Sequence, residues 1–280
     1  MMFDSGTDLL YANLVKGLSR FFREQGKEKA VIGLSGGIDS AVVLAIATEA
    51  LGRENLHAIL MPSPFSTLHS VTDAVELAGN LEVEHSVVPI EGIYNKFMRE
   101  LEDLFCGEVR GITSENLQAR IRGSILMAYS NNSGALLLNT SNKSELAMGY
   151  GTLYGDLSGA IMVIADLYKL QVYSVARYIN KARRVIPEST ITKEPSAELR
   201  DNQKDSDSLP PYHILDPILH ALLEEGKDPE SLIGEGHQRI LIDRIVKLMK
   251  DSSFKVHQLP PMLQTGNHPV SPRNKCFKCF

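Results

Sequence analysis

Residues 31–40 read Val-Ile-Gly-Leu-Ser-Gly-Gly-Ile-Asp-Ser. The apolar run Ala30 to Leu34 has the length and composition of a buried strand. Ser35, Gly36 and Gly37 then form a glycine turn, and Ala41 to Leu51 reads as a helix. A strand, a glycine turn and a helix start, in that order, gather backbone N–H groups and a helix N-terminus around an anion. Asp39 and Ser40 stand where a helix cap or a magnesium ligand belongs. No Lys-Ser/Thr closes the loop, so it is not a Walker A sequence. A glycine pair alone would be read as a tight turn capped by Asp39 or Ser40. The whole hexapeptide Ser35–Ser40 behind an apolar strand favours a phosphate-binding loop.

The rest of the chain repeats the alternation. Residues 7–25 form an amphipathic helix, with Leu10, Leu14, Leu18 and Phe21 on one face. Strands are expected at His57–Met61, Val83–Ile90 and Ala135–Leu138. Helices are expected at Thr67–Leu81, at Ile93–Phe105 and from Thr113 onward with Leu117, Ile121 and Ile125 inside. Alternating strands and helices predict a three-layer α/β fold, a parallel sheet covered by helices on both faces. Ligands in such sheets bind at the carboxyl ends of strands. Segments 35–40 and 139–145 both fall there.

Beyond residue 148 the pattern loosens. Gly149 to Asp156 is rich in glycine and tyrosine and reads as a ligand-shaped loop. Gln171–Arg183 is a helix. Residues 187–212 hold four prolines among charged and polar residues and read as a long mobile loop. Pro217–Glu225, Asp228–Ile233 and Gln238–Lys250 make a cluster of short helices, so 1–280 is taken as one domain with a helical C-terminal region at 212–280.

Of 280 residues, 43% are hydrophobic, enough for a full core. The net charge of −5 disfavours non-specific nucleic-acid binding, and a helix-turn-helix reading of Asp228–Lys250 lacks a basic recognition face. No apolar stretch has membrane-spanning length, and no signal peptide is visible at the start. Three cysteines make no disulfide framework and fit a reducing cytoplasm. Cys276-x-x-Cys279 has no second pair, so it is read as a frayed tail and not as a zinc site. The eight histidines show no ligand spacing.

The hexapeptide Ser-Gly-Gly-Ile-Asp-Ser resembles the pyrophosphate loop of the N-type ATP pyrophosphatases. A second set of stretches chooses the member. Asn139–Tyr150, Thr152–Asp156, Pro187-Glu188-Ser189, Pro195–Arg200 and Asp207–Tyr212 together resemble the NAD synthetase family, in particular the synthetase domain of its glutamine-dependent branch. The resemblance implies an adenine nucleotide alpha hydrolase-like, Rossmann-like fold. It implies ATP-dependent amidation of deamido-NAD to NAD through an adenylate, with AMP and pyrophosphate released. Gly33, Leu34, Ser35, Gly36, Gly37, Ile38, Asp39, Ser40, Thr140, Lys169 and Ser196 match ATP-binding positions. Asp39 and Glu145 match Mg²⁺ ligands. Asn116, Arg120, Glu145, Tyr154, Asp156 and Lys255 match deamido-NAD positions or segments. Asp39 and Lys169 are the residues expected to carry the chemistry.

That branch carries a glutaminase domain ahead of the synthetase. Here about thirty residues precede the loop, enough for one helix, and Cys106 lies inside the synthetase region. Ammonia is therefore the expected nitrogen donor, with a separate glutaminase left open as its source. The C-terminus departs from the basic ending usual in the family. A homodimer is implied, because the family's acceptor site lies at a subunit interface. Two other readings compete with this one. A tRNA-thiolating pyrophosphatase would want paired reactive cysteines and a basic RNA-binding domain. A non-catalytic nucleotide binder would be expected to have lost Asp39, Glu145 or Lys169.

Overall fold

A computed structural model describes residues 3, 6–266, 268, 270 and 276–278. Among these residues, seven strands form one parallel sheet. In chain order they are β1 (Ala30–Gly33), β2 (Leu56–Leu60), β3 (Glu84–Val87), β4 (Leu136–Asn139), β5 (Ile161–Met162), β6 (Met262–Gln264) and β7 (Cys276–Lys278). Their spatial order is β3-β2-β1-β4-β5-β6-β7. The helices are α1 (Thr7–Glu24), α2 (Ile38–Leu51), α3 (Leu68–Asn80), α4 (Glu91–Phe105), α5 (Ile112–Ser133), α6 (Lys143–Met148), α7 (Lys169–Ala182), α8 (Glu188–Thr192), α9 (Tyr212–Leu223), α10 (Pro229–Gly234) and α11 (Arg239–Val256).

Side chains alternate across a strand, and the two faces bury different partners. Ile32, Ala58, Leu60 and Leu138 face a layer built from Leu14 and Leu18 of α1, Val42 and Ile46 of α2, and Val172 and Val175 of α7. Val31, Ile59 and Leu137 face Tyr94 of α4 and Leu117 and Ile121 of α5. Helix α2 is buried from Ala41 to Ala47 on every side, because α1 and α7 cover what the sheet leaves. Its sequence, IDSAVVLAIATEAL, is apolar all round, as a fully interior helix must be. Among the described residues, no helix is long and apolar enough to cross a membrane.

The three-layer parallel arrangement is the one expected. Helix α2 starts three residues earlier than its apolar run, so Asp39 lies in its first turn and Gly37 is the cap. The segment 187–212, expected as a mobile loop, instead holds α8 and a one-turn helix at Asp205–Asp207, and it is bonded to α3. The helical C-terminal region ends at Val256, and the chain then returns to the sheet as β6 and β7. Cys276 belongs to β7, paired with Met262, and is not part of a frayed tail. Cys279 lies outside the described residues.

Candidate active site

The strand order reverses between β1 and β4, so the loops that leave them part and open a crevice at their carboxyl ends. A cleft of about 310 Å³ lies there. One wall is the loop after β1. Gly36 sits at φ +82°, and a Cβ on it would lie 2.1 Å from the Ser70 carbonyl oxygen, so only glycine fits. Ser40 Oγ donates to the Gly37 carbonyl (3.0 Å) and accepts from Ser35 N (3.3 Å). Ser35 Oγ accepts from Gly37 N (3.1 Å). These bonds hold the turn open above α2, whose first-turn amides have no intrahelical acceptors.

The other wall comes from β4 and β5. Asn142 caps α6 and forms a capping box with Glu145, signalled in the sequence by Asn-x-x-Glu. Asn142 Nδ2 also donates to Asp39 Oδ1 (2.9 Å), linking α6 to α2. Lys169 opens α7 and is 2% exposed. Its Nζ pairs with Asp39 Oδ2 and lies 3.4 Å from Glu145 Oε1. Burial works against the Lys169 ammonium, but Asp39 and Glu145 outweigh it and hold its pKa above the ordinary lysine range. Burial and the nearby Asp39 push Glu145 up to about 8, with Lys169 opposing. Asp205, raised by burial, is a third carboxylate that acts on Lys169.

Lys169 is set in place from behind. Ser144 Oγ accepts from Lys169 N (3.0 Å) and donates to Asp216 Oδ1 (2.6 Å). Asp216 Oδ2 accepts from Leu170 N (2.8 Å). Beneath α6, the fully buried Lys143 pairs with Asp166 (3.0 Å) and Glu224, and donates to the His268 carbonyl (2.8 Å). Sequence reading did not single out Asn142, Lys143, Asp205 or Asp216. Only the Asn142 capping spacing carried a local signal.

A strap, residues 193–199, lies over the cleft. Glu198 accepts from Thr67 N (3.1 Å), Thr67 Oγ1 (2.9 Å) and Ser70 Oγ (2.6 Å) at the start of α3. Lys193 Nζ lies 3.1 Å from both Ser70 Oγ and Asp73 Oδ2. Ser196 Oγ shapes the strap by donating to the Gln203 carbonyl (2.6 Å).

Of the residues expected at a site, Gly33, Leu34, Ser35, Gly37, Ile38, Asp39, Ser40, Thr140, Glu145, Asp156, Lys169 and Ser196 all line this cleft. Gly36 belongs to the same loop but packs on Ser70. Asn116, Arg120, Tyr154 and Lys255 are not among the lining residues. They meet the 149–156 loop instead. Asn116 Oδ1 accepts from Thr152 Oγ1 (2.7 Å), Arg120 Nε donates to the Leu153 carbonyl (3.3 Å), and Lys255 Nζ donates to the Gly149 (2.8 Å) and Gly151 (2.7 Å) carbonyls. Tyr154 is 70% exposed, with its hydroxyl on Gln258.

Comparison with known proteins fits this geometry. Residues 10–260 match the family model described as NAD synthase. A glutamine-dependent NAD(+) synthetase from Synechocystis sp. is 48% identical over 258 residues, 92% of this chain and 46% of that protein. The chain thus spans about half the length of the curated relatives it matches. An NH3-dependent NAD synthetase structure from Campylobacter jejuni aligns over 92% of this chain and 99% of its own, at 30% identity and TM-score 0.72. The NMN synthetase structure from Francisella tularensis aligns over 88% and 94%, at 29% identity and TM-score 0.75. With most of its length matched and the same fold carrying the cleft, this chain belongs to the NAD synthase family.

Proposed function

We propose that the chain catalyses the ATP-driven amidation of deamido-NAD to NAD, the last step of NAD synthesis, with ammonia as nitrogen donor. The observation that carries this reading is the meeting of the glycine loop, Asp39, Glu145 and Lys169 in one cleft at the switch point. A carboxylate is a poor electrophile and must be activated. A nicotinate carboxylate oxygen attacks the α-phosphorus of ATP, the bond to the β-phosphate bridge breaks, and pyrophosphate leaves. Ammonia then attacks the acyl carbon and loses a proton, and AMP leaves with one of the carboxylate oxygens.

Two anions meet in the first step. The loop amides receive the departing pyrophosphate, and Lys169 supplies a fixed positive charge beside them. Asp39 and Glu145 suit Mg²⁺: they meet at Lys169, burial and then Asp39 raise Glu145, a cation there would relieve both, and hard oxygen donors are what that ion takes. Bound there, Mg²⁺ would supply further neutralisation of the phosphates. Thr140 and Ser196 flank the ATP, and the strap keeps water from the adenylate. Asp156 faces the acceptor directly. Asn116, Arg120, Tyr154 and Lys255 shape the loop that receives it.

Support for ammonia as donor is that, among the described residues, no cysteine lines the cleft, and Cys106 is exposed elsewhere. A separate glutaminase is compatible with this as an ammonia source. A second copy of the chain is the proposed partner, supported by exposed apolar side chains on α4 (Ile93, Phe97, Leu104) and at the start of α5 (Ile112). The likeness to an NMN synthetase favours a second reading, amidation of the nicotinate mononucleotide. The test is AMP release with ATP, Mg²⁺ and ammonium, comparing deamido-NAD, the mononucleotide and no acceptor. Higher kcat/KM with deamido-NAD is expected. Preference for the mononucleotide supports the second reading, and acceptor-independent turnover defeats both. Equal use of glutamine in place of ammonium defeats the donor assignment.

A further inference from the structure

Among the described residues, three cationic side chains line the cleft: Arg122, Lys169 and Lys193. Two of them already have carboxylate partners. Lys169 is held by Asp39 and Glu145, and Lys193 by Asp73. Arg122 is different. Its Nε donates to the Met61 carbonyl (3.0 Å), which fixes the plane of the guanidinium. Among the described residues, no carboxylate lies within 4.0 Å of it, and its two terminal nitrogens have no hydrogen-bond partner. Asp156 and Glu198 act on it from a greater distance, from the acceptor loop and from the strap.

An unpaired guanidinium in a cleft is costly to keep charged. Burial pulls the Arg122 pKa down to about 10, against Asp156 and Glu198, which raise it. Its helix is not free to move the charge out to water. A Cβ on the next residue, Gly123, would lie 3.0 Å from the Gly155 carbonyl oxygen, so α5 is seated tightly on the acceptor loop. Arg122 lines the cleft together with Met61 just after β2, the strap and Asp156. A planar fork of donors of this kind matches a phosphate or carboxylate in two-point contact.

Given the amidation reading above, on which this rests, we infer that Arg122 is an anion-binding residue of the cleft, gripping an oxyanion of the bound nucleotides at the end away from Lys169. That group is either the α-phosphate of ATP or an acidic group of the acceptor. Arg122 is thus the counterpart of Lys169. Lys169 and the glycine loop take the leaving pyrophosphate, and Arg122 takes the fragment that stays.

The test is equilibrium binding of α,β-methylene-ATP, AMP and deamido-NAD to the full chain and to Arg122→Met and Arg122→Lys, with thermal melting of each ligand-free protein. At least tenfold weaker binding of one or more probes is expected for Arg122→Met, partly restored in Arg122→Lys. Loss with AMP and α,β-methylene-ATP identifies the α-phosphate, and loss with deamido-NAD alone identifies the acceptor. Because the charge is unpaired, ligand-free Arg122→Met should melt no lower than wild type. Unchanged affinity for all three probes, or a lower melting temperature with the affinity loss rescued by none of the variants, would overturn the assignment in favour of a structural role. Failure of the wild-type protein to bind any probe would instead strike at the amidation reading itself.

Discussion

Lys169, the first residue of α7, forms its closest ion pair with Asp39, 130 residues away in the first turn of α2. The pair joins the two sides of the switch-point crevice and is itself joined to α6 through Asn142 and Glu145. Removing one partner leaves buried charge behind. Lys169→Met should therefore lower stability by about 3 kcal/mol and reduce turnover at least a hundredfold. Asp39→Asn, which keeps the size of the side chain, should lose turnover with a smaller stability change. Denaturant unfolding and AMP release measure the two effects separately.

Gly36 and Gly26 both have positive φ, yet they differ in surroundings. A Cβ on Gly26 meets nothing within 4 Å, whereas one on Gly36 collides with backbone at Ser70. Gly26→Ala should cost about 1–2 kcal/mol from backbone strain alone. Gly36→Ala should cost about 2–4 kcal/mol and also weaken nucleotide binding, because the loop must shift. Melting temperatures with and without ATP distinguish the two substitutions.

Glu198 is the clasp of the strap, accepting three hydrogen bonds from Thr67 and Ser70 at the start of α3. Glu198→Ala should release it. The expected signs are faster proteolytic cutting within residues 193–204 and a several-fold rise in the KM for ATP, with the melting temperature little changed. Cutting at the wild-type rate would show that other contacts hold the strap.

Burial pushes the Asp216 carboxyl up to about 6, against hydrogen bonds from Ser144 and Leu170 that lower it. The folded chain thus holds this proton more tightly than the unfolded chain, whose carboxyl titrates near 4. Its contribution to stability is greatest below about pH 4, falls as pH rises toward 6, and is level above that. Relative to Asp216→Asn, the wild-type protein should gain about 2–3 kcal/mol between pH 7 and pH 4. Urea unfolding of both proteins across this range provides the measurement.

The sequence carried the fold wherever strands and helices were long enough to show a period. It failed at β5 to β7, which have two or three residues each and show no alternation. It also failed where meaning depends on distant partners. Lys143 reads as one more polar residue in a loop, yet it is buried because Asp166, Glu224 and the His268 carbonyl surround it. The strap has the composition of a loop, and only the positions of Thr67, Ser70 and Asp73 show that it is tied down. Asp39 was legible because the glycine turn is local. The resemblance put Asp39 and Lys169 at one nucleotide site but did not foretell their ion pair, since nothing in residues 166–172 announces a buried lysine.

The most direct test of the proposed chemistry follows the carboxylate oxygens. Deamido-NAD carrying ¹⁸O in its nicotinate carboxylate is turned over with ATP, Mg²⁺ and ammonium, and the products are analysed by mass spectrometry. Attack on the α-phosphorus requires one labelled oxygen to appear in AMP and none in pyrophosphate. Label in pyrophosphate or inorganic phosphate, or AMP free of label, would contradict an adenylated intermediate and the reading of Ser35–Ser40 as the cradle of its leaving group.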